Sequence, residues 1–116
     1  MTNQQVLEAA NEAVTQGNNE KFLSYCTDDT QWTFVGEETL YGKNAVRDYM
    51  QKTYVKPPEF KVDNLIVDKD AIAAIGVIRL FNKDETYSDY DYCDVWYFKD
   101  GKMDKLEAFV VEKNKV

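Results

Sequence analysis

Residues 86–110 constrain the fold more than any other stretch of the chain. They read Thr-Tyr-Ser-Asp-Tyr-Asp-Tyr-Cys-Asp-Val-Trp-Tyr-Phe-Lys-Asp-Gly-Lys-Met-Asp-Lys-Leu-Glu-Ala-Phe-Val. Aromatic and β-branched residues flank an Asp-Gly pair, which tolerates the left-handed backbone of a tight turn, so a long hairpin is predicted. Side chains along a strand alternate between two faces. One face of the first strand therefore carries Ser88, Tyr90, Tyr92, Asp94, Trp96 and Phe98, and the other Tyr87, Asp89, Asp91, Cys93, Val95 and Tyr97. A single carboxylate within an aromatic strip is the pattern of a polar anchor in an apolar pocket.

The rest of the chain supplies helices and further strands. Val6, Leu7, Ala10, Ala13 and Val14 recur at helical spacing over residues 3–16, with Thr2 or Asn3 as cap and Gly17 as stop. A shorter helix is expected from about Asn19 to Cys26, and Asp28-Asp29 reads as a turn. Thr30 to Val35 alternates as a strand with Trp32 and Phe34 on one side, and Gly36 breaks it. A loop over Glu37 to Gly42 with a short extended piece at Thr39–Tyr41 leads to a third helix, roughly 43–54, carrying Ala45, Val46, Tyr49, Met50 and Tyr54 at helical spacing. Pro57-Pro58 closes it, because the residue before a proline is pushed out of the helical region. Strands are expected at Phe60–Val67 and Ala71–Phe81. The order α-α-β-α-β-β-β-β predicts an α+β domain, one unit over residues 1–116, with helices on one face of a curved, mostly antiparallel sheet.

Strand registers follow from the turns. Centring one turn on Lys83-Asp84 sets Ala73, Ile75 and Val77 opposite Asp94, Tyr92 and Tyr90. A three-residue turn at Lys99-Asp100-Gly101 pairs Phe98 with Lys102 and Asp94 with Leu106. The pocket face then holds Ala73, Ile75, Val77, Tyr90, Tyr92, Asp94, Trp96, Leu106, Ala108 and Val110. The other face holds Ile72, Ala74, Ile78, Leu80, Cys93, Val95, Tyr97, Phe109 and Val111. Both are apolar and three helices cover one only, so a homodimer through the convex face is expected.

Composition narrows the function. At 116 residues the chain can build one core, and 44% hydrophobic with 14% aromatic content excludes a disordered chain. A net charge of −7 with no basic stripe argues against nucleic acid, and no stretch approaches the roughly 20 apolar residues of a membrane span. Met-Thr-Asn-Gln-Gln leads straight into a helix, so no signal peptide is expected and the location predicted is cytoplasmic. Cys26 and Cys93 read there as free thiols. The chain has no histidine, which removes Ser-His-Asp triads, Cys-His pairs and the usual zinc sites. No cofactor and no metal are expected, and Asp28-Asp29 and Asp68 to Asp70 lack calcium-loop spacing.

Asp94 admits two readings: an acid whose pKa is raised by desolvation and which serves as acid, base or donor, or a carboxylate satisfied architecturally by a nearby hydroxyl or amide. Tyr90 and Tyr92 could offer hydroxyls to a ligand or simply pack across strands. Trp32, Phe34, Tyr49, Ile75, Val77, Trp96, Leu106, Ala108 and Val110 are expected to line the pocket. Asp89 and Asp91 read as solvated charges on the other face. Cys93 lacks a base, and Asp94 beside it raises rather than lowers the thiol pKa.

The stretches Cys26-Thr-Asp-Asp-Thr-Gln-Trp-Thr-Phe-Val-Gly, Leu40-Tyr-Gly-Lys-Asn-Ala-Val and Tyr92-Cys-Asp-Val-Trp-Tyr-Phe-Lys-Asp-Gly-Lys-Met resemble the nuclear transport factor 2-like superfamily. Within it the chain is most similar to SnoaL-like polyketide cyclases and ketosteroid isomerases. The resemblance implies a cone-shaped (cystatin-like) fold with three helices on a curved sheet. It also implies that Asp94 stands where the isomerases keep a protonated aspartic acid that donates to a developing oxyanion. The isomerase's base would fall at about Phe34 and its oxyanion tyrosine near Ala10, neither of which can do that chemistry. Scytalone-dehydratase-like chemistry needs a histidine. The Arg-x-Asp pair of limonene-epoxide-hydrolase-like enzymes is not matched, since Arg79 is followed two residues later by Phe81. The expected function is binding of a small, largely apolar ligand. The alternatives are an isomerase, cyclase or lyase acting on an apolar carbonyl or polyketide-like substrate through Asp94 with Tyr92 or Tyr90, and a dimeric structural module with a filled pocket.

Overall fold

The computed structural model describes residues 1–113. Three helices, α1 (Asn3–Thr15), α2 (Asn19–Ser24) and α3 (Lys43–Thr53), lie against one six-stranded sheet. The strands are β1 (Cys26–Phe34), β2 (Glu38–Tyr41), β3 (Glu59–Val67), β4 (Ala71–Phe81), β5 (Tyr87–Lys99) and β6 (Lys102–Glu112). Their order across the sheet is β2-β1-β6-β5-β4-β3. All neighbours are antiparallel except β1 and β6, which run parallel.

Local chemistry explains the helix ends. Thr2 and Gln5 form a reciprocal capping box at the start of α1, satisfying backbone donors that the first turn leaves free. Gly17 ends it in the left-handed region at φ 74°. The Asn18 side chain caps α2 by accepting from the Lys21 amide. The buried face of α1 is the apolar set read from the sequence, Val6, Leu7, Ala10, Ala13 and Val14. Val46 and Met50 of α3 are likewise fully enclosed.

Two expectations in the first half are corrected. Helix α2 stops before Cys26, which opens β1 instead, because the Met103 amide donates to the Tyr25 carbonyl and captures the chain for the sheet. Asp28 and Asp29 are not a turn but lie inside β1, at the irregularity in its pairing with β6 between Cys26 and Gln31.

Both hairpin registers also differ from expectation. The β4–β5 connection spans the five residues from Asn82 to Thr86, with Phe81 opposite Tyr87. The Asn82 amide donates to the Thr86 carbonyl, and Glu85 sits at φ 68°. Asp84 accepts from both the backbone amide and the hydroxyl of Thr86. This odd-length turn moves the pairing by one residue, and a one-residue slip turns every side chain of a strand to the opposite face. Ile72, Ala74, Ile78 and Leu80 therefore point to the concave face, whereas Ala73, Ile75 and Val77 lie on the convex face. The β5–β6 connection is the two-residue Asp100-Gly101 turn, at φ 52° and 77°, with Lys99 opposite Lys102. A bulge between Tyr97 and Phe98 then shifts the partners so that Asp94 faces Ala108 and Trp96 faces Leu106. The displacement here is two residues, so Leu106, Ala108 and Val110 keep the expected face.

The two thiols are free. Burial pushes the Cys26 thiol up to about 12, which leaves it an inert core residue.

Candidate active site: an aromatic cavity around Asp94

Pairing across five strands stacks the concave face in rows. Trp32, Leu106, Trp96 and Ile72 form the innermost row, each no more than 5% exposed. Phe34, Ala108, Asp94, Ala74 and Leu65 form the next. Val110, Tyr92, Gly76 and Val62 follow, and then Glu112, Tyr90, Ile78 and Phe60. The row containing Asp94 has alanine on both sides of it. With only two methyl groups flanking the carboxyl, the volume above it stays open, and a cavity of about 440 Å³ results. Its other wall is built from α1 and α3 and the segment after α3, through Asn11, Val14, Tyr49, Tyr54 and Pro58. This volume falls within the roughly 300–1,000 Å³ usual for small-molecule sites.

The innermost end of the cavity is packed with rings. Trp32 meets Phe22, Trp96, Tyr49 and Phe34 edge-to-face, with centroids 5.6–6.3 Å apart. The Trp32 indole nitrogen is enclosed among them without a hydrogen-bond acceptor. At the opposite end the lining includes the exposed residues Val35, Glu37, Val110 and Glu112. Val35 and Glu37 follow β1 directly and Val110 and Glu112 close β6; the two strands run in the same direction and so bring these residues to one rim.

Gly76 makes the third row workable. A Cβ there would stand 2.1 Å from the Lys61 carbonyl oxygen and 3.0 Å from the Tyr92 hydroxyl oxygen. Only a bare backbone lets β3 approach at its bulge between Val62 and Asn64 while the Tyr92 ring lies over β4.

The polar groups of the site follow from this packing. Asp94 forms no hydrogen bond or ion pair with any described residue, and burial alone pushes its carboxyl from 3.8 up to about 7. Tyr92 is pushed up to about 12, first by burial and then by the charges of Asp94 and Asp63. Tyr54 and Tyr49 are both raised, principally by burial, and Tyr54 also feels Tyr49 and Asp94. Tyr90 lines the cavity one row further out. The charged lining groups are Glu37, Asp94 and Glu112; no lysine or arginine joins them among the described residues. Nor do the described residues hold a cluster of His, Cys, Asp or Glu arranged for a metal ion.

Of the residues expected to line the pocket, Trp32, Phe34, Tyr49, Trp96, Leu106, Ala108 and Val110 do so. Ile75 and Val77 do not, because the one-residue slip of β4 turns them outward; Ile78 and Leu80 take their place. Asp89, read as a solvated charge, accepts two bonds from Arg79 at 2.7 and 3.0 Å. Arg79 also lies 3.8 Å over the Tyr87 ring and is not part of the cavity lining. Asp91 lies 3.6 Å from Lys113. Glu107 sits opposite Val95 and accepts from the Tyr97 hydroxyl at 2.7 Å. Tyr54, Phe60 and Asn11 were not expected in the site. Tyr54 was legible only as an apolar helix position; nothing local shows where its hydroxyl ends up.

Comparison with known proteins places this architecture. The structure aligns with an epoxide hydrolase/cyclase-like enzyme, SalBIII, that acts in pyran ring formation in the polyether salinomycin. That match has a TM-score of 0.86 and 17% identity, covering 94% of this chain and 90% of the other. An LEH-like epoxide hydrolase of M. tuberculosis aligns with a TM-score of 0.82 and 16% identity, over 92% and 80% of the two chains. An NTF2-like protein of unknown function from Burkholderia pseudomallei aligns with a TM-score of 0.83 and 18% identity, over 94% and 90%. At these identities the likeness establishes the NTF2-like fold. No curated protein matches the sequence. Residues 7–105 match the SnoaL-like domain. This match covers most of the chain, from α1 to the first residues of β6, so the chain belongs to the SnoaL-like family.

Proposed function

We propose that this protein binds a small, largely apolar molecule in the aromatic cavity, with Asp94 as its polar anchor. The observation that carries the reading is the unpartnered Asp94 carboxyl inside a cavity of about 440 Å³. An acid placed this deep is expensive unless something meets it, and the described residues supply no partner. A cavity this size speaks against a structural module whose pocket is filled by its own side chains. Trp32 and Trp96 lie in the lining and report occupancy through their fluorescence. Titration with 2-tetralone, a bicyclic ketone, should give a saturable change that is at least ten-fold weaker in Asp94→Leu, which fills a similar volume without a donor. No saturable response up to the solubility limit would remove the reading.

A second reading, an isomerase-, cyclase- or lyase-type enzyme on a small carbonyl or polyketide-like substrate, is favoured by one observation. A carboxyl at about 7 is divided between its acid and base forms at neutral pH, where acid–base catalysis is most effective. Tyr92 or Tyr90 would assist by donating a hydroxyl. Exchange of the protons next to the carbonyl of 2-tetralone into deuterated water, followed by NMR, tests this reading. Exchange that Asp94→Asn abolishes supports an enzyme; its absence from the wild type leaves a binding protein.

The assembly proposed is a homodimer through the convex sheet face. That face carries Ile75, Tyr97 and Phe109 at 37%, 39% and 44% exposure beside Cys93 and Val95. A second copy presenting the same patch would cover them by two-fold symmetry.

A further inference from the structure

The cavity lining carries charge of one sign only. Asp94 stands in its interior, Glu37 and Glu112 stand at its rim, and no lysine or arginine joins them among the described lining residues. The tyrosines of the lining feel the same sign. Burial is the largest effect on each of Tyr49, Tyr54 and Tyr92. Beyond it, Glu37 and Glu38 raise Tyr49, Tyr49 and Asp94 raise Tyr54, and Asp94 and Asp63 raise Tyr92. No cation lowers any of the three. Nine of the lining residues are aromatic, Trp32 and Trp96 among them, and the face of an aromatic ring is the negative part of its quadrupole. Carboxyl groups at two depths with rings between them form an enclosure that attracts a cation and repels an anion.

Resting on the pocket reading above, we propose that the preferred ligand is an organic ammonium ion, an apolar skeleton with one amine, paired with the Asp94 carboxylate inside the aromatic cavity. The ammonium supplies the counter-charge that no described residue gives Asp94. The skeleton lies against Trp32, Trp96 and Leu106 of the innermost row. The acidic rim draws the cation toward the mouth, an effect that salt screens. Pairing requires Asp94 to release its proton, so affinity for the cation rises with pH through the value of about 7 that burial sets for the free protein. The other titratable groups of the lining are Tyr90 and Tyr92 on β5, Tyr49 on α3, Tyr54 after it, Glu37 after β1 and Glu112 on β6. Helices α1 and α2 and strands β3 and β4 contribute none. Asp94→Asn retains all six, so comparison with it isolates Asp94.

Three probes of one skeleton test this: tetralin, which has no polar group, 2-tetralone, and 2-aminotetralin, whose amine is an ammonium ion at both pH values used. Affinities are read from tryptophan fluorescence at about pH 5.5 and about pH 8.5, at one ionic strength. At the higher pH the wild type should bind 2-aminotetralin at least ten-fold more tightly than 2-tetralone. At the lower pH only about one Asp94 in thirty is ionised. The amine should then bind about thirty-fold more weakly, while tetralin changes by less than two-fold. Asp94→Asn should remove this pH dependence and weaken the amine at least ten-fold at the higher pH. Saturable ketone binding with no advantage for the amine at the higher pH would overturn the cation proposal and leave the pocket reading standing. An amine advantage that does not depend on pH, or that survives in Asp94→Asn, would overturn it as well, because the cation would then lie away from Asp94. No binding of any probe by the wild type would remove both. Should Asp94→Asn fail to fold, the wild type decides: a gain for the amine with pH that tetralin does not share supports the pairing, and equal behaviour of the two overturns it.

Discussion

Replacing Asp94 with Asn isolates what its buried carboxyl does to the fold. Asp94 is raised from 3.8 to about 7 by desolvation, so between these values the folded protein holds a proton that the unfolded chain has released. Stability then falls as pH rises through this window, since the unfolded state binds fewer protons. The effect is absent below about pH 4 and complete above about pH 7. Each tenfold in acid dissociation corresponds to 1.36 kcal/mol, which sets the cost of the ionised group at ~4 kcal/mol at most. Solvent in the cavity reduces it to roughly 2–4 kcal/mol by screening. Asn is similar in shape and does not titrate. Asp94→Asn should therefore match the wild type within about 1 kcal/mol near pH 4.5 and exceed it by roughly 2–4 kcal/mol at pH 8.5. Urea unfolding of both proteins across this range gives the difference directly. Glu20, Asp84 and Asp89, which hydrogen bonds hold below their usual values, titrate alike in both and cancel. A difference between the two proteins that stays constant with pH would refute the reasoning. So would an NMR titration placing Asp94 near 4.

Gly76→Ala should lower stability by roughly 2–4 kcal/mol through a clash with backbone rather than with a movable side chain; an unchanged melting temperature would contradict the close approach of β3. Ala108→Leu places a branched side chain directly beside Asp94. It should abolish 2-tetralone binding in the fluorescence titration while the protein still folds, and unimpaired binding would place the ligand elsewhere. Phe109→Asp on the convex face should convert a dimer to monomers in sedimentation velocity, because an unpaired charge in an apolar interface costs several kcal/mol. A wild type that is already monomeric at micromolar concentration would dismiss the dimer.

Much of this protein follows from local rules of the chain. The helices and most strands are legible because apolar residues recur at helical spacing in one half and alternate in the other. Asp94, Trp96, Leu106, Ala108 and Val110 could be assigned to one face because alternation within each strand is local, and because the β5–β6 shift of two residues preserves parity. What the sequence could not supply is the pairing between strands. The β4–β5 turn takes five residues, through backbone bonds and a left-handed Glu85 that composition does not announce. That single odd residue exchanges Ile75 and Val77 for Ile78 and Leu80. It also sets Ala74, not Ala73, beside Asp94. The cavity exists because alanines from two other strands flank the carboxyl, and Tyr54 joins its lining from the residue that follows α3. Both are long-range juxtapositions. Local pattern determines which face of its own strand a side chain takes, but only tertiary packing decides what stands opposite it.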